Sequence, residues 1–292
     1  MSDIFRNNLD NIKLEIDLFG NRVEKLSMKD RIGFLPISIW QPDWSITNKL
    51  KDIVGDSGEC RELREGSGNQ RTTNLKVNTF GYQLFSSIFN PHLAQMILSA
   101  YCQPKAKIYD PFAGGGTRGF IATAMGHEYT GREIRQNEID RILEQQKKLG
   151  VGFNIECGDA QDEPPKRDYF DFSYTCPPYY NLEIYSGLDN DLSNAPDYFQ
   201  FLLGINKVMQ SVWYSLKPGA LSIWVVGNFR DKKGNLNHFN GDIANIGLRV
   251  GFYLHDEIIF WGAAGNAVQR CGQFEANRKS VRVHEYILIF RK

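Results

Sequence analysis

No two cysteines in this 292-residue chain have the spacing of a metal site. The five present, Cys60, Cys102, Cys157, Cys176 and Cys271, are odd in number and scattered. That argues against a disulfide framework or a zinc module, and for a reducing compartment. The five histidines are scattered as well. Excess charge is missing too: 34 basic residues balance 34 acidic ones. Bulk charge therefore gives no argument for a nucleic-acid partner, although a cleft of suitable local sign is still allowed. No apolar run approaches the roughly 20 residues that span a bilayer. The polar start after Met1 has no signal-peptide core. These absences lead us to expect a soluble, cytoplasmic protein with no membrane partner. What is present is an ordinary globular balance, 42% hydrophobic and 23% charged, at a length that can bury a core.

Residues 1–30 place Leu9, Ile12, Ile16 and Phe19 at spacings that predict an amphipathic helix. FLPISIWQPDWS reads as irregular or short-strand chain. Residues 55–74, rich in Gly, Ser, Arg and Glu, read as a mobile loop or linker. From about residue 82 strands and helices alternate. PHLAQMILSAYC reads as a helix entered through Pro91, and KIYDPF as a strand end. EYTGREI, NIECGDA, YFDFSYTCPP and ALSIWVVGNF read as further strands, with helices between them. The class is therefore α/β with a mainly parallel sheet. YLHDEIIFW and VHEYILIF have only a loop between them, so the last strand is expected to pair antiparallel. An N-terminal extension, residues 1–80, is expected to precede the main domain, residues 81–292.

DPFAGGGTRG, residues 110–119, lies after a strand and before a helix. Gly114, Gly116 and Gly119 fit G-x-G-x-x-G, and Glu133 follows where a ribose-binding carboxylate is expected. Glycines allow a sharp turn and a close approach of ligand to backbone. The helix that follows aims its amides at the ligand. Asp110, just ahead of the loop, would repel a pyrophosphate but suit a cationic cofactor. S-adenosylmethionine carries a sulfonium and an amino group, so this electrostatic reading favours it over NAD.

DPFAGGGT followed by CPPY resembles the cofactor and catalytic motifs of the amino-group DNA methyltransferases, which methylate cytosine N4 or adenine N6. The resemblance covers roughly residues 80–292. It implies a Rossmann-like, seven-stranded class I methyltransferase sheet with an antiparallel last strand. It also implies that Asp110, Phe112, Gly114 and Gly116 cradle the methionine end of S-adenosylmethionine, with Thr117 starting the helix beneath. Glu133 would hold the ribose and Asp159 would read the adenine amino group. Phe89 or Pro91 loosely matches a further cofactor motif. Only 66 residues separate Asp110 from Cys176, so no large target-recognition domain lies between the motifs. Sequence recognition must come from the N-terminal segment or from loops after Tyr180 or around 262–280.

An exocyclic amine is a poor nucleophile because its lone pair is delocalised into the ring. In the resembled family it is gripped by the first side chain of the catalytic motif, here Cys176, and by the carbonyl of the first proline, here Pro177. Tyr179 would stack on the base. Pro177 and Pro178 stiffen the loop so that these groups are preorganised. Such a pocket requires base flipping. Cys176 departs from the family's Asp, Asn or Ser, and a thiol is a weak donor and acceptor. It also opens a rival route, thiolate attack on C6 of a pyrimidine with methylation at C5. Tyr180 and Glu183 should border the pocket, with Glu183 on the base or solvated. Arg270 and Lys279, with Arg278 and Arg282, are candidate phosphate contacts, as are Arg230, Lys232 and Lys233.

The resulting expectation is a DNA methyltransferase, cytosine N4 slightly ahead of adenine N6, with DNA as partner and a homodimer allowed. Restriction-modification is one setting for such chemistry. The rivals are an RNA enzyme of the guanine-N2 type and a non-catalytic nucleic-acid-binding subunit of the same fold.

Overall fold

The structure is a computed structural model. It describes residues 14–16, 22–24, 34, 36–53, 89–163, 166–180, 186–231, 233–262 and 271–292. Near the N-terminus β1 (Leu14–Ile16) pairs antiparallel with β2 (Arg22–Glu24), with Ile16 opposite Arg22. This corrects the helix expected across residues 1–30. Ile16 and Val23 are β-branched and favour a pleated strand, and Gly20 and Asn21 between them are poor helix formers. The expected mobile segment 55–74 lies outside the described residues.

Two elements follow, β3 (Ile39–Trp40) and α1 (Trp44–Ile53), and then α2 (Pro91–Tyr101). Asn90 caps α2 by accepting from the backbone of His92 and Leu93, and Pro91 opens its first turn. The alternating part runs β4 (Lys107–Asp110), α3 (Thr117–Ala124), β5 (Glu128–Glu133), α4 (Gln136–Leu149), β6 (Asn154–Cys157) and β7 (Phe170–Thr175). It continues through α5 (Tyr198–Ser215), β8 (Leu216–Val226), the short β9 (Phe229–Arg230) and β10 (Leu236–Asn237), and α6 (Phe239–Val250). It ends with β11 (Tyr253–Trp261), α7 (Gln273–Asn277) and β12 (His284–Arg291). Two helices stop at a left-handed glycine: α4 is capped by Gly150 at φ 63° and α6 by Gly251 at φ 112°.

The central sheet has the order β3-β11-β12-β8-β7-β4-β5-β6. Five neighbouring strands, β8 through β6, run parallel, and β12 is antiparallel to both β8 and β11, as the sequence predicts. The expected α/β sheet with an antiparallel last strand is therefore present, with one correction in strand number. It has eight strands, not seven, because β3 from the N-terminal segment adds parallel to β11. The boundary expected near residue 80 falls outside the described residues, but residues 36–53 on its N-terminal side pack onto the sheet. Trp40 is 2% exposed and meets Phe34 edge-on and Tyr101 face-on. Asp43 donates its amide to His92 Nδ1 at 2.9 Å.

Strand alternation divides the core in two. Ile223, Val225, Ile287 and Ile289 face α2 and α3, while Trp224, Val226, Leu288 and Phe290 face α5 and α6. Burial lowers the pKa of His92, His127 and His284 below 6.5, against the opposing pull of Asp43 in the case of His92. The unfolded chain thus takes up these protons first on acidification. Their neutral contribution to stability is full above pH 6.5 and is lost as pH falls below it. The melting temperature is expected to drop between pH 7.5 and pH 5.5, and replacing all three with Gln should flatten that drop.

Candidate active site

Ligands in open α/β sheets bind outside the carboxyl ends of the strands, where strand order reverses. Here that point lies between β4 and β7, which are neighbours with Ile108 opposite Phe172 and Tyr109 opposite Ser173. The glycine loop leaves β4 there and the proline loop leaves β7. Both line one cleft of about 410 Å³, within the range of small-molecule sites.

Asp110 ties these loops together. It is 0% exposed. Its Oδ1 accepts from Thr175 Oγ1 at 2.7 Å, at the end of β7, and from the Phe112 amide at 3.0 Å, in the glycine loop. Its Oδ2 accepts from Arg118 Nε at 2.6 Å, in α3, and from Tyr129 OH at 2.7 Å, in β5. Four elements thus converge on one carboxylate. This corrects the expectation that Asp110 faces a cationic cofactor. Its charge is met by buried Arg118, and its side chain does not line the cleft. Burial is the strongest influence on Arg118 and works against its charge, but Asp110 together with Tyr129, Cys176 and Tyr174 leaves the guanidinium pKa raised. Burial, then Asp110, raises that of Tyr129. Arg118 also donates to the Phe112 carbonyl and lies over the Phe89 ring, 4.9 Å from its centroid.

Gly114 (φ 54°) and Gly116 (φ 78°) adopt left-handed backbone that other residues resist. Gly116 is the N-cap of α3 and makes no side-chain cap, which leaves the first amides of the helix to other acceptors. Gly114, Phe112 and Thr117 line the cleft, whereas Gly116 sits behind it, with Ile142 3.0 Å from where a Cβ would stand.

Glu133, at the end of β5, and Asp159, after β6, line the same cleft with Ile134, Ala160 and Leu192. Glu133 Oε1 accepts from the Arg135 amide at 3.0 Å and from Arg135 Nε at 2.8 Å, while Oε2 takes none of the described hydrogen bonds. Asp159 accepts from Gln161 and, at 3.1 Å, from Asn190 Nδ2. Carboxylates for hydroxyl and amino donors, an apolar slot and an uncapped helix start suit a nucleoside bearing an amino-acid tail. Those residues fit S-adenosylmethionine.

Cys176, Pro177, Pro178 and Tyr179 line the same cleft. Cys176 is half-buried against the core and within electrostatic range of Arg118. Tyr179 packs edge-on to Phe229 and Phe239 and donates its hydroxyl to Glu285 Oε1 at 2.9 Å. Tyr180 differs from expectation. With φ 36° its ring turns into the core against Tyr198 and Phe201, and it does not line the cleft. Lys279 is also outside the cleft, because its ammonium donates to the Gly234 carbonyl at 2.8 Å. Arg230 donates to the same carbonyl at 3.2 Å, so the two basic segments read as phosphate candidates meet at one turn. Glu183 and Arg270 lie outside the described residues.

Sequence reasoning missed Arg118, Thr175 and Tyr129 as partners of Asp110. It also missed Trp44, Lys51 and Glu285, which line the cleft. For Glu285 a signal existed: an antiparallel last strand starts at the carboxyl edge of its parallel neighbours.

Comparison with known proteins agrees with this architecture. The DNA methylase family model matches residues 11–145, just under half of the chain. The resemblance to the amino-group DNA methyltransferases is borne out over the glycine loop, but the match starts at residue 11 and not near 80, and it ends before Cys176. The cofactor expectation agrees with the matched DNA methylase family, and two of the similar solved structures are themselves S-adenosylmethionine-dependent methyltransferases. None of the curated proteins matches in sequence. Among solved structures, the [4+2]-cyclase SpnF shares the fold at 13% identity and TM-score 0.51, over 85% of this chain and 94% of that one. TrmN from Thermus thermophilus is 16% identical at TM-score 0.47, over 70% of this chain and 49% of that one, so this chain spans about half of TrmN. An S-adenosylmethionine-dependent methyltransferase from Methanosarcina mazei is 16% identical at TM-score 0.47, over 67% and 96% of the two chains. Among the described residues no helix is long and apolar enough to cross a membrane.

Proposed function

We propose that this methyltransferase acts on an exocyclic amine of a flipped base in DNA, with cytosine N4 ahead of adenine N6. The observation that carries this reading is that Cys176–Tyr179 share one cleft with the glycine loop, Glu133 and Asp159. Phe112, Gly114, Thr117, Glu133 and Asp159 would hold S-adenosylmethionine, which would supply an electrophilic methyl group for the amine lone pair, with the methyl–sulfur bonding pair retained by sulfur. The Pro177 carbonyl accepts an amine hydrogen, and the stiff backbone fixes its aim. The Tyr179 ring borders the base. The meeting of Arg230 and Lys279 at Gly234 supplies positive charge for a nucleic-acid backbone.

The test is mass spectrometry of nucleosides from unmethylated DNA and from RNA incubated with protein and S-adenosylmethionine. N4-methylcytosine or N6-methyladenine from DNA is the expected product. Methylation of RNA alone would move the substrate class, and no product together with no thermal stabilisation by the cofactor would favour a non-catalytic subunit. The Cys176→Ser variant separates the two chemistries. On the amine route it keeps kcat within about threefold, since serine is the better acceptor. On the C5 route it loses the nucleophile and all turnover.

A further inference from the structure

We propose that Glu285 is the carboxylate that grips the target amine and takes up the proton it sheds, the part that Cys176 is poorly equipped to play. This rests on the amine reading above. A thiol accepts hydrogen bonds weakly, so the first position of the catalytic motif leaves the amine without a strong side-chain acceptor. Glu285 brings a carboxylate to the same cleft. It can do so because β12 runs antiparallel, so its first residues lie at the carboxyl ends of β7 and β8. In register Glu285 stands opposite Phe260, which also lines the cleft. The Tyr179 hydroxyl, donating at 2.9 Å, holds the carboxylate beside the catalytic loop.

A carboxylate accepting from the amine makes a charge-assisted hydrogen bond, stronger than one to a neutral group. With one N–H held by the Pro177 carbonyl and the other by Glu285, the nitrogen is drawn toward tetrahedral geometry and its lone pair is freed. Methylation leaves a cationic secondary amine. One N–H proton then passes to Glu285 and on to solvent, which restores the carboxylate and leaves the neutral methylated base. Phe260, opposite it in register, and the other apolar residues of the cleft lower the local dielectric and strengthen the attraction.

A purely structural Glu285 would serve only to pin Tyr179, and Glu285→Gln keeps an oxygen acceptor for that hydroxyl. Steady-state methylation of an unmethylated oligonucleotide therefore decides the matter. Glu285→Gln is expected to lose about 100-fold or more in kcat. Its cofactor Kd and melting temperature should stay near those of the parent. Glu285→Asp is expected to recover at least tenfold over the amide variant. A Glu285→Gln enzyme with kcat within threefold of the parent, forming the same N-methylated base, would overturn this role and leave the amine reading standing. A parent enzyme that forms 5-methylcytosine, or no methylated base, would overturn both.

Discussion

Replacing Arg118 with Met is expected to cost the protein about 3–5 kcal/mol, the usual penalty for leaving one partner of a buried ion pair unmatched. Asp110 has no exposure to water, so its charge cannot be resolvated once the guanidinium is gone. Met fills part of the volume and keeps the contact with Phe89, which isolates the electrostatic loss from a cavity effect. The variant also removes the donor to the Phe112 carbonyl, so the glycine loop loses a tether on its cleft side. Cofactor affinity should therefore fall together with stability. By contrast, Thr175→Val removes one neutral donor to the same carboxylate and should cost about 1–3 kcal/mol. Urea denaturation with cofactor titration on both variants checks this. An Arg118→Met protein within 1 kcal/mol of the parent would mean that Asp110 is not held as a buried charge.

The second large effect is expected at Gly131 in β5. A Cβ there would stand 2.8 Å from Ala113 Cβ and 3.0 Å from Ile155 Cδ1. Ala113 has no rotamer by which to retreat, and its amide is bonded to the Arg132 carbonyl at 2.9 Å. The strain must therefore displace the backbone of the glycine loop. We expect Gly131→Ala to destabilise the fold by about 1–3 kcal/mol. It should also weaken S-adenosylmethionine binding tenfold or more, since about 1.4 kcal/mol of displaced geometry suffices for that. Gly152→Ala is the control, because a Cβ there meets nothing within 4 Å. It should leave both quantities unchanged. Isothermal titration with cofactor reads the difference directly.

Much of this was legible in the chain. The β4 to β7 alternation, the glycine loop and the antiparallel last strand all follow from local patterns, because helix and strand periods and glycine turns are local signals. A short strand within FLPISIWQPDWS was allowed, but its place in the main sheet was not legible, since two residues, Ile39 and Trp40, carry no periodicity that points to β11 as their partner. The role of Asp110 was misread for a related reason. A carboxylate before a glycine loop looks like a ligand contact until its partners from four elements are known, and those partners lie up to 65 residues away. Tyr180 failed similarly: its place beside Tyr179 suggested the pocket, but a left-handed backbone turned it inward.

The bond between Asp110 and Thr175 has a consequence for the architecture of the chain. The distance between cofactor and catalytic loops is set sideways, by two adjacent strands and one shared carboxylate. The length of chain connecting them does not enter. Segments inserted in the loops of that connection, outside α3, β5 and β6 and clear of Glu133 and Asp159, should leave the site intact. A permuted chain, in which the proline loop is synthesised before the glycine loop, should assemble the same clamp.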